Sequence, residues 1–186
     1  ILTDLDIFSK LHEYMKTHPK VGLVAPRVLY FDGRLQDTCR RFPRWYMPLV
    51  QRTMLKDTAW GKRYADTFAM HDFDHASERS VDWVQGSAMF MRGEVARVLG
   101  FFDDRYWMYF EDMDLCRRIH LYKKDLVYLP SVVLQHAHGK ESAKFQSLIV
   151  NLIKNDTARG HIISWLKYMW KWRGTTPPRT DNLSLQ

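Results

Sequence analysis

At 186 residues and a formal charge of +7, the chain has room for one hydrophobic core, or for one domain with an appendage. Its apolar fraction of 46% and charged fraction of 26% are ordinary for a globular protein. No run reaches the roughly 18 apolar residues of a membrane span, no secretory leader pattern is present, and Cys39 and Cys116 make neither a disulfide framework nor a metal-ligand pattern, which points to a reducing compartment.

The positive balance suits an anionic partner such as a phosphate-bearing ligand or an acidic lipid surface, and equally a plain basic surface kept soluble by repulsion. Charge alone would also suit nucleic acid, but no nucleic-acid-binding motif accompanies it, so that class is set aside.

The chain starts at Ile1, without Met, already inside an amphipathic stripe: Leu2, Leu5, Phe8, Leu11, Tyr14 and Met15 recur at helical spacing. Thr3 or Asp4 would cap this helix. It should end near Thr17-His18-Pro19, because the residue before proline resists the α region. A chain that opens this way reads as part of something longer.

Residues 21–26 form a short apolar run and predict a buried strand. Residues 27–31 and 32–36 read as a hairpin, with Asp32-Gly33 supplying the positive φ of a tight turn. Residues 37–80 are weakly periodic and rich in Arg, His, Asp and aromatics, which predicts a long excursion with short helices. Residues 81–92 read as one strand, with Gly86 marking a bulge or a close backbone approach. A short helix over 93–99 closes at Gly100. The next helix covers 112–123, followed by strands at 126–130 and 132–136. An apolar stripe through Phe145, Leu148, Ile149, Leu152 and Ile153 predicts a helix that Gly160 could interrupt. A second stripe follows through Ile162, Trp165, Leu166, Met169 and Trp170. Strands and helices alternate, so the fold class is α/β with a mixed sheet and flanking helices.

One segment concentrates chemistry: Phe101-Phe102-Asp103-Asp104-Arg105-Tyr106-Trp107-Met108-Tyr109-Phe110-Glu111-Asp112-Met113-Asp114. Three carboxylates follow an aromatic run and open a helix. The free N–H groups of a first helical turn favour negative charge there, but a structural helix start needs only one such residue. Aromatic faces beside a carboxylate are also what a sugar site requires. The rings stack on a pyranose while the carboxylate takes a proton from a hydroxyl. Asp114 lies about 200° around the helix from Asp112 and should face elsewhere.

These residues resemble bacterial family 2 glycosyltransferases of the rhamnosyltransferase kind. Residues 81–92 resemble the family's VDWVxGAxMLIRR, and residues 100–118 its GGFDExFFMYFEDxDLCxR. Leu129-Pro130 with His136-Ala137-His138-Gly139 resembles its xxP…xHxxG ending, and residues 18–26 resemble the P-x-V-G-x-V-x-P that follows its Asp-rich metal motif. The resemblance spans about residues 1–140 and implies the C-terminal half of a GT-A fold, without the nucleotide-binding half. Residues 141–173 would then be a helical extension and 174–186 a tail.

The resemblance implies inverting transfer of a sugar from a nucleotide-sugar donor to a saccharide or lipid-linked acceptor in cell-surface polysaccharide synthesis, with this portion inactive alone. It makes Asp112 the base and Glu111 the neighbour that orients it or raises its pKa by like charge. Trp83, Gln85 and Gly86 would line the site, Trp107 and Tyr109 would form an acceptor platform, and Arg40 and Arg41 would meet a phosphate. His136 or His138 would help hold a Mg²⁺ or Mn²⁺ ion that neutralises the leaving diphosphate. Core packing, a sheet bulge, a basic surface and a polar strand end are the structural alternatives for these residues.

His71-Asp72-Phe73-Asp74-His75 also has the look of metal ligands, although its spacing matches no coherent motif. Residues 161–173 interleave Trp and Tyr with Lys and Arg, which suits peripheral contact with the inner face of the cell membrane from the cytoplasm. Packing of that helix on the catalytic core is the alternative. A non-catalytic carbohydrate-binding or assembly module, able to form a homodimer, is the competing function.

Overall fold

The computed structural model describes residues 6–47, 50, 53–137 and 156–178, the last span with side chains from 159 onward. Helix α1, Ile7–Thr17, precedes strand β1, Val21–Leu29. Strand β2 is Cys39–Arg40, and a 3₁₀ turn at Met54–Asp57 leads into helix α2, Ala59–Phe68. Three short strands follow: β3 (Arg79–Ser80), β4 (Trp83–Val84) and β5 (Phe90–Met91). Helix α3 is Gly93–Leu99, helix α4 Glu111–Leu121, strand β6 Asp125–Gln135 and helix α5 Asp156–Lys171.

The main sheet has the order β3-β6-β1-β5, and β2 pairs with β4 in a separate two-stranded sheet. β1 and β6 run parallel at the centre, while β5 and β3 lie antiparallel on either side. Continuous apolar runs are what a doubly covered central strand requires, and both long strands have them. A register shift at Gly22 separates Val21 from Leu23 and sends Val21 and Val24 to one face of the sheet, Leu23 and Ala25 to the other.

On one face, Ile7, Leu11 and Met15 of α1 pack on Val24, Val127 and Leu129. On the other, Met113, Leu115, Cys116 and Ile119 of α4 pack on Leu23, Leu126 and Tyr128. Each buried aliphatic side chain contributes about 1.5–3 kcal/mol relative to exposure. The α/β class and mixed sheet match the sequence expectation.

Several local expectations need correction. Residues 81–92 are not one strand. The backbone turns at Asp82, whose carboxylate accepts the Phe42 N–H at 2.9 Å, and again at Gly86-Ser87. The two strands predicted over 126–136 are one, β6, with an irregularity opposite Pro26 and Arg27. The hairpin after β1 keeps its Asp-Gly turn, with Gly33 at φ 83°, but its ladder is one bridge, Leu29 to Leu35.

Gly160 does not interrupt α5. A Cβ there would lie 2.9 Å from Cε3 of Trp107, so the small residue seats an indole against the helix. The caps proposed at Thr3 and Asp4 and the stripe from Phe145 to Ile153 lie outside the described residues.

Helix α5 packs on the rest of the protein. Its Tyr168 is buried in the main core, with Trp165, Met169 and Trp172 packed beside it. Leu166 and Trp170, expected on the buried stripe, are exposed together with Ile163. Lys171 pairs with Asp103 and Asp114, and Lys167 donates to the Arg105 carbonyl at 2.6 Å. Much of the aromatic and cationic content of residues 161–173 is thus committed to the protein itself. Among the described residues no helix is long and apolar enough to cross a membrane.

Candidate active site

Helix α4 begins abnormally. Tyr109 and Phe110 both adopt left-handed backbone, at φ 65° and 67°, before the chain turns into the helix. Each costs roughly 1–2 kcal/mol in an L-residue. Strain of this kind persists only where the surroundings over-determine it. Here the Phe110 ring is buried against Tyr168, and the Tyr109 ring lies 4.9 Å from His161 of α5. The double turn presents Glu111 and Asp112 toward the Gln85-Gly86-Ser87 bend.

The two acidic residues of this turn that look most alike in sequence have opposite environments. Asp114 is fully buried and saturated. It holds Arg118 at 2.8 Å, Lys171 at 2.7 Å and the Trp172 indole N–H at 2.8 Å. Asp112 is 8% exposed and meets no cation at ion-pair distance among the described residues. Its Oδ2 accepts the Gly86 N–H at 3.1 Å, and its Oδ1 accepts the Met113 N–H at 2.7 Å. Burial, and next the charge of Glu111, push the Asp112 carboxyl up to about 7, against the pull of those backbone donors. Burial also raises the pKa of Glu111, whose Oε2 is buried without a hydrogen-bond partner in the structure.

The two carboxylates line a cleft of about 590 Å³. Of the sequence candidates, Arg40, Trp83, Gln85, Gly86, Tyr109, Glu111, Asp112 and His136 all line it. The turn at Gly86-Ser87 is not crowded, since a Cβ on Gly86 would make ordinary contacts with Asp112 and Phe102 at 3.7 and 3.8 Å. Trp83 is a wall more than a platform, because it is buried and its indole N–H donates to the Arg41 carbonyl at 2.9 Å. Burial lowers the Arg40 pKa, offset by Asp37 and Asp112, and its guanidinium also donates to the Asp37 carbonyl at 3.1 Å.

Two candidates lie elsewhere. Trp107 does not line the cleft; it is 68% exposed and packs on Gly160. Arg41, the residue after β2, points away, to Asp72 at 2.8 Å, because successive residues of an extended chain face opposite sides. His138 lies outside the described residues.

Phe102, Met108, Ser87 and His161 are among the further lining residues and are not singled out individually by the sequence. Phe102 and Met108 belong to the aromatic run already noted. His161 carries no local signal, since a fold contact 52 positions along the chain from Tyr109 sets its place. Ser87 Oγ, like Glu111 Oε2, is buried with no partner in the structure. A bound ligand or water would satisfy both of these atoms in the same cleft.

A divalent ion needs convergent donors. Among the described residues no group of three or more His, Cys, Asp and Glu side chains forms such a set. His136 would offer one donor, and its Nδ1 lies 3.4 Å from Gln36 Oε1. The His71–His75 group disperses: His71 meets Asp66 at 2.9 Å, Asp72 meets Arg41, and His75 packs on Phe73 at 4.6 Å.

A strained aromatic turn delivering a proton-accepting carboxylate to a polar cleft defines a candidate acid–base site. No protein-family model matches the chain. Its curated homologues are rhamnosyltransferases. It is 30% identical over 120 residues to N-acetylglucosaminyl-diphospho-decaprenol L-rhamnosyltransferase of two Mycobacterium tuberculosis strains, covering 63% of this chain and 38% of the relative. It is 33% identical over 110 residues to Rhamnosyltransferase WbbL of Escherichia coli K12, covering 58% of this chain and 38% of the relative. The chain thus spans well under half the length of the relatives it matches.

Proposed function

We propose that this chain carries the acceptor-activating part of an inverting glycosyltransferase of the GT-A type, acting in cell-surface polysaccharide synthesis. The donor is a nucleotide-activated sugar, an L-rhamnosyl group by the relatives' names, and the acceptor is a saccharide or a lipid-linked saccharide. The acceptor hydroxyl enters between the aromatic wall and the Gly86 bend. Asp112 accepts its proton as the oxygen bonds to the anomeric carbon, and the nucleoside diphosphate leaves from the opposite face with the bonding pair. Glu111, acting through Asp112, adds negative charge that strengthens its hold on the proton. Tyr109 and His161 frame the sugar-binding side. No step is assigned to a metal.

The observation that carries this proposal is the contrast within one helical turn between Asp114, saturated with cations, and Asp112, held by backbone donors alone at the cleft. Pairs of carboxylates pushed apart by environment are how acid–base roles are set. The exposed side of α5, with Ile163, Leu166 and Trp170, is what remains for the membrane contact expected over 161–173.

The test is sugar transfer by the protein as encoded, with Asp112→Asn beside the unaltered form. The expected result is loss of turnover by about 10²–10⁴-fold, the usual contribution of a general base, with donor affinity retained. Unchanged turnover would remove Asp112 from the mechanism. Acceptor binding without any transfer in the unaltered protein would favour the non-catalytic carbohydrate-binding alternative.

A further inference from the structure

Strand β2 divides two cavities. Arg40 faces the Asp112 cleft, whereas Arg41 faces a second cavity of about 280 Å³ that shares only Phe68 with the first. Three guanidinium groups line it, those of Arg41, Arg44 and Arg63, together with the rings of Tyr46, Trp60 and Tyr64. Arg41 is paired with Asp72. The side chains of Arg44 and Arg63 have no ion pair or hydrogen bond among the described residues; only their backbones are engaged, with Tyr64 Oη at 3.0 Å and Thr67 Oγ1 at 2.9 Å. Asp82 also lines the cavity but is buried and accepts the Phe42 N–H. Positive charge therefore prevails at the mouth.

The rings are organised. Tyr46 lies 5.7 Å from Trp60 and 5.5 Å from Tyr64, and Trp60 stacks on Tyr64 at 6.2 Å. Trp45 adds an edge to Tyr46 at 5.6 Å. Trp45 and Trp60 are exposed, as are Met54 and Leu55 on the 3₁₀ turn that leads into α2. Arginines select phosphate through charge-assisted hydrogen bonds, and exposed indoles beside them suit a hydrocarbon chain.

We propose that this second cavity binds the diphosphate head of a lipid-borne substrate, with Arg44 and Arg63 on the phosphates and Trp60, Trp45 and Leu55 along the first isoprenoid-like carbons. That this lipid is the acceptor rests on the glycosyltransferase proposal; the binding itself does not. The diphosphate would be anchored on one side of β2 while the attached sugar reaches the cleft on the other.

The test is calorimetric titration of the full chain, without donor, using inorganic pyrophosphate and geranyl diphosphate as probes. Geranyl diphosphate should bind saturably and about tenfold or more tighter than pyrophosphate, the difference coming from apolar contact. Arg44→Gln with Arg63→Gln should weaken both by about tenfold or more, as loss of charge-assisted bonds implies. Trp60→Ala should weaken geranyl diphosphate alone. All three positions are exposed, and an unchanged circular dichroism spectrum would confirm that the variants fold.

Absence of saturable binding, or binding indifferent to the arginine substitutions, overturns the proposal. Binding only to phosphatidylcholine vesicles containing phosphatidylglycerol also overturns it, since the occupant would then be a bilayer headgroup. A protein that binds the probe but transfers no sugar sinks the enzymatic proposal and leaves this one standing. Transfer without probe binding does the reverse.

Discussion

The amide of Gly86 and the carboxylate of Asp112 meet at 3.1 Å across the floor of the cleft, joining segments 26 residues apart. The bond holds one carboxylate oxygen in place and pulls the proton affinity of Asp112 down, while burial and Glu111 push it up. The result, about 7, leaves the group able to take a proton near neutrality.

Turnover should follow that balance. A base works only when ionised, so the rate should rise with pH and level off above a midpoint near 7. Glu111→Gln removes the second-largest cause of the upward shift, so the midpoint should move to lower pH. A pH–rate profile of both proteins checks this, and an upward move would mean that Glu111 acts otherwise.

Stability should show the same carboxyl. Its folded pKa of about 7 lies above the ordinary 3.8. Below about pH 4 both states hold the proton. Between about 4 and 7 only the folded state does, so unfolding releases a proton and stability falls as pH rises. At about 1.4 kcal/mol per unit, the fall is on the order of 4 kcal/mol across the window. Asp112→Asn should flatten it and be the more stable protein at pH 8, as urea denaturation at pH 5 and pH 8 would show.

Asp114→Ala should behave oppositely, as a structural lesion. It takes the shared carboxylate from Arg118, which keeps the Leu99 and Phe101 carbonyls, and from Lys171, which keeps Asp103, and it leaves the Trp172 indole N–H unpaired. Removing one partner of a buried ionic cluster costs about 3–5 kcal/mol. Urea unfolding should show a loss of that size. A loss below about 1 kcal/mol would mean that the cations find water instead.

Gly160→Ala sets two effects against each other. Alanine gains about 1 kcal/mol in a helix interior. The new Cβ would meet the Trp107 ring at 2.9 Å, but that ring is largely exposed and can swing away. Net stability should change by less than about 1 kcal/mol, with a shift in tryptophan fluorescence as Trp107 leaves its seat. A loss of 2 kcal/mol or more would show that the ring is pinned.

Much of this architecture is legible in the sequence because its signals are local. The apolar run at 21–26, the Asp32-Gly33 turn, the Gly100 cap and the helix carrying Glu111 and Asp112 all follow from neighbouring residues. The separation of Asp112 from Asp114 follows from helical pitch alone. The misreadings come from contacts made at a distance. Asp82 bends the 81–92 run because Phe42 offers it an N–H, and α5 turns Tyr168 and Trp172 inward because Asp114 and Arg117 wait there. His161 reaches the cleft only through that docking. The outward turn of Arg41 depended on where β2 begins its alternation, which a two-residue strand does not announce.

The ties of Asp114 bear on how the protein is made. Lys171 and Trp172 lie 57 and 58 positions downstream of it, and Thr175, which accepts from the buried Arg117 guanidinium, lies 58 beyond that arginine. A ribosome therefore delivers the first turn of α4 well before the side chains that fasten it. Until those arrive, Asp114 has Arg118 as its ionic mate but lacks Lys171 and Trp172, and the Arg117 guanidinium lacks Thr175, so the first turn of α4 is only partly fastened. A chain cut short before Lys171 would therefore carry this turn without the lysine and the indole that fasten Asp114 to α5.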